Sequence, residues 1–172
     1  EDRHEYLDGF VYLMAGESPA HSRICFDLAL IVGMQLRGTP CEGFSPNMKV
    51  RTGEQGLFAY PDLTIVCGEP VFHDERGDVL VNPTVIFEVL SPSTAAYDRG
   101  EKSLRYRTQI ETLRDFVLIA QDRPHVEHLS RQPDGSWETH EVSGLDGVLN
   151  LDSIGCRVPL ADLYSRITFA ES

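Results

Sequence analysis

The sequence lacks the features that mark several common protein classes. No apolar run reaches the ~18 to 20 residues that span a bilayer, and the first residues are charged, unlike a secretion signal. There is no Gly/Ser or Pro tract, no internal repeat and no glycine-rich phosphate loop. These absences argue against membrane-spanning, fibrous, disordered and P-loop proteins, and a cytoplasmic protein without membrane contact is expected.

Cysteine motifs and excess positive charge are also missing. The four cysteines include no Cys-x-x-Cys pair, which predicts reduced, mostly buried thiols rather than a zinc knuckle or a disulfide framework. Lys and Arg total 15 against 27 Asp and Glu, for a net charge of −12. This balance counts against general DNA binding. It is compatible with a carboxylate pocket that attracts phosphate only after a cation has bound.

What the sequence contains is typical of one globular α/β domain. At 172 residues and 41% hydrophobic content, the chain is long enough for one core, so residues 1–172 are interpreted as a single domain. Periodicity and turn residues predict a hairpin-like entry at 5–14, helices at 19–37 and 95–110, strands at 44–51, 60–67, 84–90 and 115–120, a hairpin at 125–131 and 137–142, and a last strand and short helix at 158–164. This order predicts a mixed sheet flanked by helices.

Two acids within apolar strands are the strongest chemical signal. Glu88 interrupts the continuous apolar run 84–90, where a buried carboxylate costs several kcal/mol unless it is paired or binds a metal. Asp62 lies in a similar context after Pro61. Each acid alone more often pairs with an arginine or caps a turn. Together they favour a site of hard oxygen ligands for Mg²⁺ or Mn²⁺.

Weaker candidates surround this pair of acids. Asp98, Lys102 and Tyr106 follow Glu88 at helical spacing, so Lys102 could reach the pocket or simply form a surface ion pair with Asp98. Glu5 and His21 have the local context of solvated or capping residues.

Two histidines of the predicted hairpin do not have the spacing of a zinc site. His125 and His128 lack the helical zinc spacing, and they are interpreted as hairpin surface.

These residues resemble the Uma-type restriction endonuclease family of bacteria, within the PD-(D/E)XK nuclease superfamily. The resemblance runs nearly end to end and is carried by the strings at 5–9, 18–21, 61–63, 88–94 and 159–163, with Asp98, Lys102 and Tyr106. Glu-Val-Leu-Ser-Pro-Ser-Thr at 88–94 is its most specific element. Similar proteins carry a further segment before the position of Glu1, so a longer chain is expected.

The resemblance implies a restriction-endonuclease-like fold with an additional C-terminal β-hairpin, and an Mg²⁺-dependent endonuclease acting on nucleic acid, with DNA favoured. Asp62 and Glu88 are implied as the metal ligands, with Glu5 as a third acid, and His21, Tyr106 and Asp98 line the pocket. The superfamily lysine, two residues after the second acid, is replaced by Leu90. Lys102, on the following helix, is implied to take its role.

Other functions stay open at this point. Leu90 and the net charge favour a catalytically inactive module that keeps the nuclease fold and binds or regulates a partner. A hydrolase of non-nucleic phosphoesters would also suit an acidic surface. A homodimer is predicted by analogy, because two paired sites can cut two strands.

Overall fold

The computed structural model describes residues 4–7, 10–13, 16–53 and 56–169. The prediction at 5–14 therefore lies partly outside the described residues, although β1 (His4–Leu7) and β2 (Phe10–Leu13) do pair antiparallel. No described helix is both long enough and apolar enough to cross a bilayer.

The central sheet has six strands in the order β11-β10-β9-β8-β6-β3. Its members are β3 (Cys41–Phe44), β6 (Leu63–Cys67), β8 (Val85–Leu90), β9 (Asp115–Ala120), β10 (His125–Arg131) and β11 (Trp137–Ser143). β8 and β9 run parallel and the other pairs are antiparallel. The predicted mixed sheet and the β10–β11 hairpin are thus confirmed.

A second sheet has the order β2-β1-β5-β4-β7, with β4 (Lys49–Arg51), β5 (Phe58–Ala59) and β7 (Val79–Leu80). The strand predicted at 44–51 is therefore divided between the two sheets, whereas the strand predicted at 60–67 is confirmed from Leu63 onwards. Turns and irregular segments separate the parts, because one straight strand cannot belong to both sheets.

The helices lie outside these sheets. α1 spans Pro19–Gln35, and α2 (Ala95–Tyr97), a π-helical turn (Asp98–Lys102) and α3 (Ser103–Gln109) follow one another after β8. A hairpin of β12 (Val148–Leu151) and β13 (Cys156–Pro159) leads into α4 (Leu160–Leu163).

The core has two layers, one on each face of the central sheet. Val85, Phe87 and Val89 of β8 pack in one cluster with α1 residues such as Leu28, whereas Ile86 and Leu90 belong to a second cluster with Tyr106. β8 is consequently buried on both faces, as its continuous apolar run predicts. Glu88 shares the Tyr106 side.

The thiol prediction is wrong for two of the four cysteines. Cys41 and Cys67 are directly opposed on β3 and β6 and form a disulfide. Their separation of 26 residues shows no recognisable motif in the sequence, and only the strand register brings them together. Cys25 and Cys156 are free thiols, the first half-buried and the second buried.

Candidate functional site

Asp62 and Glu88 meet across two neighbouring antiparallel strands. Leu63 pairs with Phe87 in the β6–β8 ladder, so Asp62, one residue earlier, stands opposite Glu88, one residue later. The Asp62 amide donates to the Phe87 carbonyl at 3.1 Å, and its Oδ2 accepts from the Val89 amide at 2.7 Å. The backbone therefore holds the Asp62 carboxylate beside the strand that carries Glu88.

Lys102 lies inside the acid cluster rather than on the surface. It is 4% exposed, and its Nζ lies 2.9 Å from Glu88 Oε1, 3.1 Å from Glu5 Oε1 and 3.6 Å from Asp98 Oδ1. The interpretation of Lys102 as half of a surface ion pair with Asp98 is therefore wrong. Its ammonium group bridges three carboxylates.

The π-helical turn contributes to this placement. The Ser103 amide donates to the Asp98 carbonyl five residues earlier, which inserts one wide turn between α2 and α3. Asp98, Lys102 and Tyr106 all face inward and are buried. The Tyr106 hydroxyl donates to Glu88 Oε1 at 3.4 Å, so the inward side of this helical segment contacts the β8 acid directly.

Glu5 reaches the same cluster from the second sheet. It is buried on β1, and its Oε1 accepts from the Tyr60 amide at 3.3 Å as well as from Lys102. The local interpretation of Glu5 as a solvated residue is wrong, because strand β1 pairs with β5 and so lies close to Asp62.

His21 joins the cluster from the first turn of α1. Ser18 caps this helix by accepting from the His21 amide at 3.1 Å. The His21 ring lies between two carboxylates, with Nε2 3.3 Å from Asp62 Oδ2 and Nδ1 2.8 Å from Glu17 Oε2. Burial alone would lower the pKa of His21, but these two acids raise it to about 9.

This histidine makes a testable contribution to stability. Because the pKa of His21 rises from 6.5 to about 9 on folding, its stabilisation is complete below pH 6.5 and is lost as the pH rises through about 9. We expect His21→Asn to lower the free energy of unfolding by on the order of 2 kcal/mol at pH 6, with a much smaller effect at pH 10. Urea unfolding in EDTA at both pH values measures the difference.

The exposed His140 provides the matched control, since its side chain is 52% exposed. His140→Asn should change stability little at either pH. A His21→Asn deficit that is the same at pH 6 and pH 10 would contradict a charged imidazole in the folded protein.

The charges of the cluster do not balance. Four carboxylates, those of Glu5, Asp62, Glu88 and Asp98, face the ammonium of Lys102 and the imidazolium of His21. Burial and neighbouring acids raise the pKa of Glu88 well above its usual value, against the attraction of Lys102. Burial alone would lower the pKa of Lys102, but Glu88 and its neighbours raise it well above the usual value. The cluster thus contains four acidic groups and two basic groups, and burial favours the neutral form of Glu88.

Leu90 and His128 lie outside the acid cluster. Leu90 is buried in the second core cluster and cannot replace a lysine. The interpretation of His128 as hairpin surface is wrong, because it is 8% exposed with Nε2 2.6 Å from Asp115 Oδ1. Ser153 donates to the other oxygen of Asp115. Asp115, His128 and Ser153 line a cavity of about 430 Å³, which contains none of the residues of the acid cluster.

Comparison with known proteins agrees with this architecture. Two Synechocystis sp. proteins match, "Uncharacterized protein sll1609" with 32% identity over 83% of this chain and 80% of its own length, and "Uncharacterized protein slr1290" with 31% identity over 98% and 86%. The crystal structure of "a putative nuclease belonging to DUF820" from Anabaena variabilis superposes with a TM-score of 0.77 at 18% identity, covering 94% of this chain and 89% of that one. That likeness shows that the two proteins share a fold.

The family assignment covers almost the whole chain. Residues 1–161 match the model of the Uma2 family, which carries the description "Putative restriction endonuclease". Its range includes both strand acids, Lys102 and the β10–β11 hairpin. This chain belongs to the Uma2 family of nuclease-type proteins.

Proposed function

We propose that this protein is a divalent-metal-dependent endonuclease that hydrolyses phosphodiester bonds in nucleic acid, with DNA as its substrate. The observation that carries the proposal is the buried Lys102 ammonium 2.9 Å from Glu88, with Asp62 directly before the adjacent strand β6. A site with more buried acids than cations is unusual in a purely structural core. It suits a centre that holds a metal ion against phosphate. The homodimer and the cytoplasmic location stay predictions.

The donor atoms fit Mg²⁺ or Mn²⁺. The Oδ2 atom of Asp62 accepts from the Val89 amide and lies beside the His21 ring. The Oε1 atom of Glu88 contacts the Lys102 ammonium and accepts from the Tyr106 hydroxyl. Asp62 and Glu88 would hold the cation, since carboxylate oxygens are the ligands these metals prefer. Glu5 is the third acid of the site. When bound, the metal lowers the pKa of a coordinated water and offsets phosphate charge.

Lys102 has a defined part in the proposed reaction. Because its pKa is raised, it stays an ammonium group at neutral pH and cannot act as a general base. It instead stabilises negative charge that develops on the phosphate as the water oxygen bonds to phosphorus and the leaving oxygen departs. Glu5, Glu88 and Asp98 hold the ammonium from three sides, so the charge is positioned before substrate arrives.

His21 supports the metal ligand rather than the substrate. Its Nε2 donates to Asp62 Oδ2, and the Val89 amide donates to the same oxygen, so two donors orient one carboxylate. A metal ligand held in this way is pre-organised. Asp98 and Tyr106 act through Lys102 and Glu88 in the same sense.

Calorimetric titration with Mn²⁺ tests the proposed metal centre without requiring a substrate. We expect the wild-type protein to bind Mn²⁺ and Asp62→Asn to weaken that binding at least ~10 to 100-fold, because one negative ligand is lost while the side-chain volume is kept. Mg²⁺ should compete for the same site.

Asp162 offers the matched control, since it is an exposed acid in α4, away from the cluster. Asp162→Asn should bind Mn²⁺ as the wild type does. Equal Mn²⁺ affinity in Asp62→Asn and wild type would rule out the assigned ligand.

A non-catalytic binding module is the second candidate. Leu90 at the motif position and the net charge of −12 favour it. A DNA cleavage assay separates the two functions. A binding module keeps its fold and binds its partner, but it cleaves no plasmid, linear or single-stranded DNA with either Mg²⁺ or Mn²⁺. Such a result would replace the nuclease proposal.

A further inference from the structure

A second set of donor atoms lies at the start of α1, beside the acid cluster, and shares His21 with it. Glu17, His21 and Cys25 follow at intervals of four residues, which places them on one side of the helix start. His21 Nδ1 lies 2.8 Å from Glu17 Oε2 and 3.5 Å from Cys25 Sγ. One donor atom from each residue lies within 4.8 Å of the other two.

The spacing of these atoms is close to that of a zinc site. Zinc binds carboxylate oxygen and imidazole nitrogen at ~2.0 to 2.2 Å and thiolate at ~2.3 Å, so tetrahedral ligands stand roughly 3.3 to 3.8 Å apart. The His21–Cys25 distance already lies in this range, and Glu17 needs to withdraw by about half an ångström. Its side chain is 50% exposed, so it has room to move and leaves the site open to solvent.

The other nitrogen of His21 supplies a second, independent observation. Nε2 faces Asp62 Oδ2 at 3.3 Å, while Nδ1 faces the remaining two donors. Histidines that bind a metal through one nitrogen commonly donate the other N–H to a carboxylate, which fixes the ring and its tautomer. Asp62 is placed to have this role for Nδ1 ligation.

We infer that Glu17, His21 and Cys25 form a binding site for Zn²⁺, or a similar thiophilic divalent ion, with Asp62 orienting the histidine. Thiolate and imidazole ligands select zinc over magnesium, whereas the Asp62 and Glu88 oxygens favour magnesium. Three protein ligands leave the fourth zinc position open to water or another ligand. On binding, the Nδ1 and thiol protons leave to solvent and the Zn–N and Zn–S bonds form.

This inference does not depend on the proposed nuclease activity. The arrangement without zinc is an imidazolium held by two carboxylates beside a neutral thiol, since burial and the nearby acids Asp62 and Glu17 raise the pKa of Cys25. Zinc must displace the His21 Nδ1 proton and the Cys25 thiol proton. It therefore binds only if the free energy of forming the zinc–ligand bonds exceeds the cost of removing these two protons.

Cobalt titration of the whole protein tests the site directly, because Co²⁺ substitutes for zinc and a thiolate ligand gives a charge-transfer absorption band. We expect one such site per chain, with Co²⁺ displaced by Zn²⁺. Cys25→Ser should lose the band, and Glu17→Gln should weaken Zn²⁺ binding at least ~10-fold. Asp62→Asn should weaken it ~10 to 100-fold. Cys156→Ser, which removes the other free thiol, should leave the band unchanged.

Two further variants separate this site from the other metal-binding groups. Glu88→Gln should retain the cobalt band, because Glu88 belongs to the acid cluster. A Cys41→Ser/Cys67→Ser double variant should also retain it. Zinc affinity that is unchanged in either Cys25→Ser or Glu17→Gln would overturn the inference, as would loss of the band in Glu88→Gln or in the double variant. Glu17→Gln alters an exposed side chain, so it decides the question even if Cys25→Ser does not fold.

Discussion

Replacing Glu88 by glutamine is expected to abolish Mg²⁺-dependent DNA cleavage, reducing the rate roughly 10³-fold or more. Glutamine keeps the shape of the side chain and removes one negative metal ligand from the centre of the acid cluster. Metal ions supply several kcal/mol of transition-state stabilisation, and about 4 kcal/mol corresponds to 10³ in rate. Supercoiled plasmid incubated with excess enzyme, with samples taken over hours, provides the measurement.

The variant should keep its fold. Lys102 retains Glu5 and Asp98 as partners, and the buried Glu88 has a raised pKa, so a neutral side chain is tolerated there. Thermal unfolding in EDTA checks this point. Glu101→Gln is the matched control, because Glu101 pairs with Arg105 near the surface and lies outside the cluster. Glu88→Gln that cuts plasmid at the wild-type rate would eliminate the proposed centre.

Strands buried on both faces were the most predictable part of the fold. The apolar run at 115–120 is a strand over the same residues, and the run at 84–90 gives β8 (Val85–Leu90). Both pack against apolar groups on two sides, so the pattern is continuous and apolar apart from Glu88 in β8 and Asp115 at the start of β9. Short strands such as β5 (Phe58–Ala59) could not be predicted, since two residues carry no period.

The acid cluster was predictable because buried charge is rare. Glu88 stands out in an apolar run, and the spacing of Asp98, Lys102 and Tyr106 depends only on local helix geometry. The π-helical turn does not spoil this spacing, because residues four apart still face the same side of the wider turn.

Contacts that depend on tertiary register were not predictable. The Cys41–Cys67 disulfide requires β3 to pair with β6 at one particular register. His128 contacts Asp115, which also accepts from Ser153 between β12 and β13, and alternation along β10 does not say which face meets this hairpin.

Replacing Lys102 by methionine is expected to lower the cleavage rate and the stability of the protein but to strengthen its Mn²⁺ binding. Cleavage should fall roughly 10² to 10³-fold, because the positioned ammonium that stabilises phosphate charge is gone. Stability in EDTA should fall by about 3 to 5 kcal/mol, since Glu5, Glu88 and Asp98 lose a buried cation within 3.6 Å. Mn²⁺ should nevertheless bind tighter, by roughly tenfold, because a competing positive charge has left the pocket.

This combination distinguishes an electrostatic centre from a simple packing defect. A packing defect would weaken metal binding together with stability, whereas here Mn²⁺ should raise the melting temperature of Lys102→Met more than that of the wild type. Lys49→Met is the matched control, because Lys49 pairs with Asp78 at the surface, where its side chain is 30% exposed. That variant should lose less than about 1 kcal/mol and cut DNA normally. Normal cleavage by Lys102→Met would remove this lysine from the mechanism, and weaker Mn²⁺ binding would show that the ammonium supports the metal rather than competing with it.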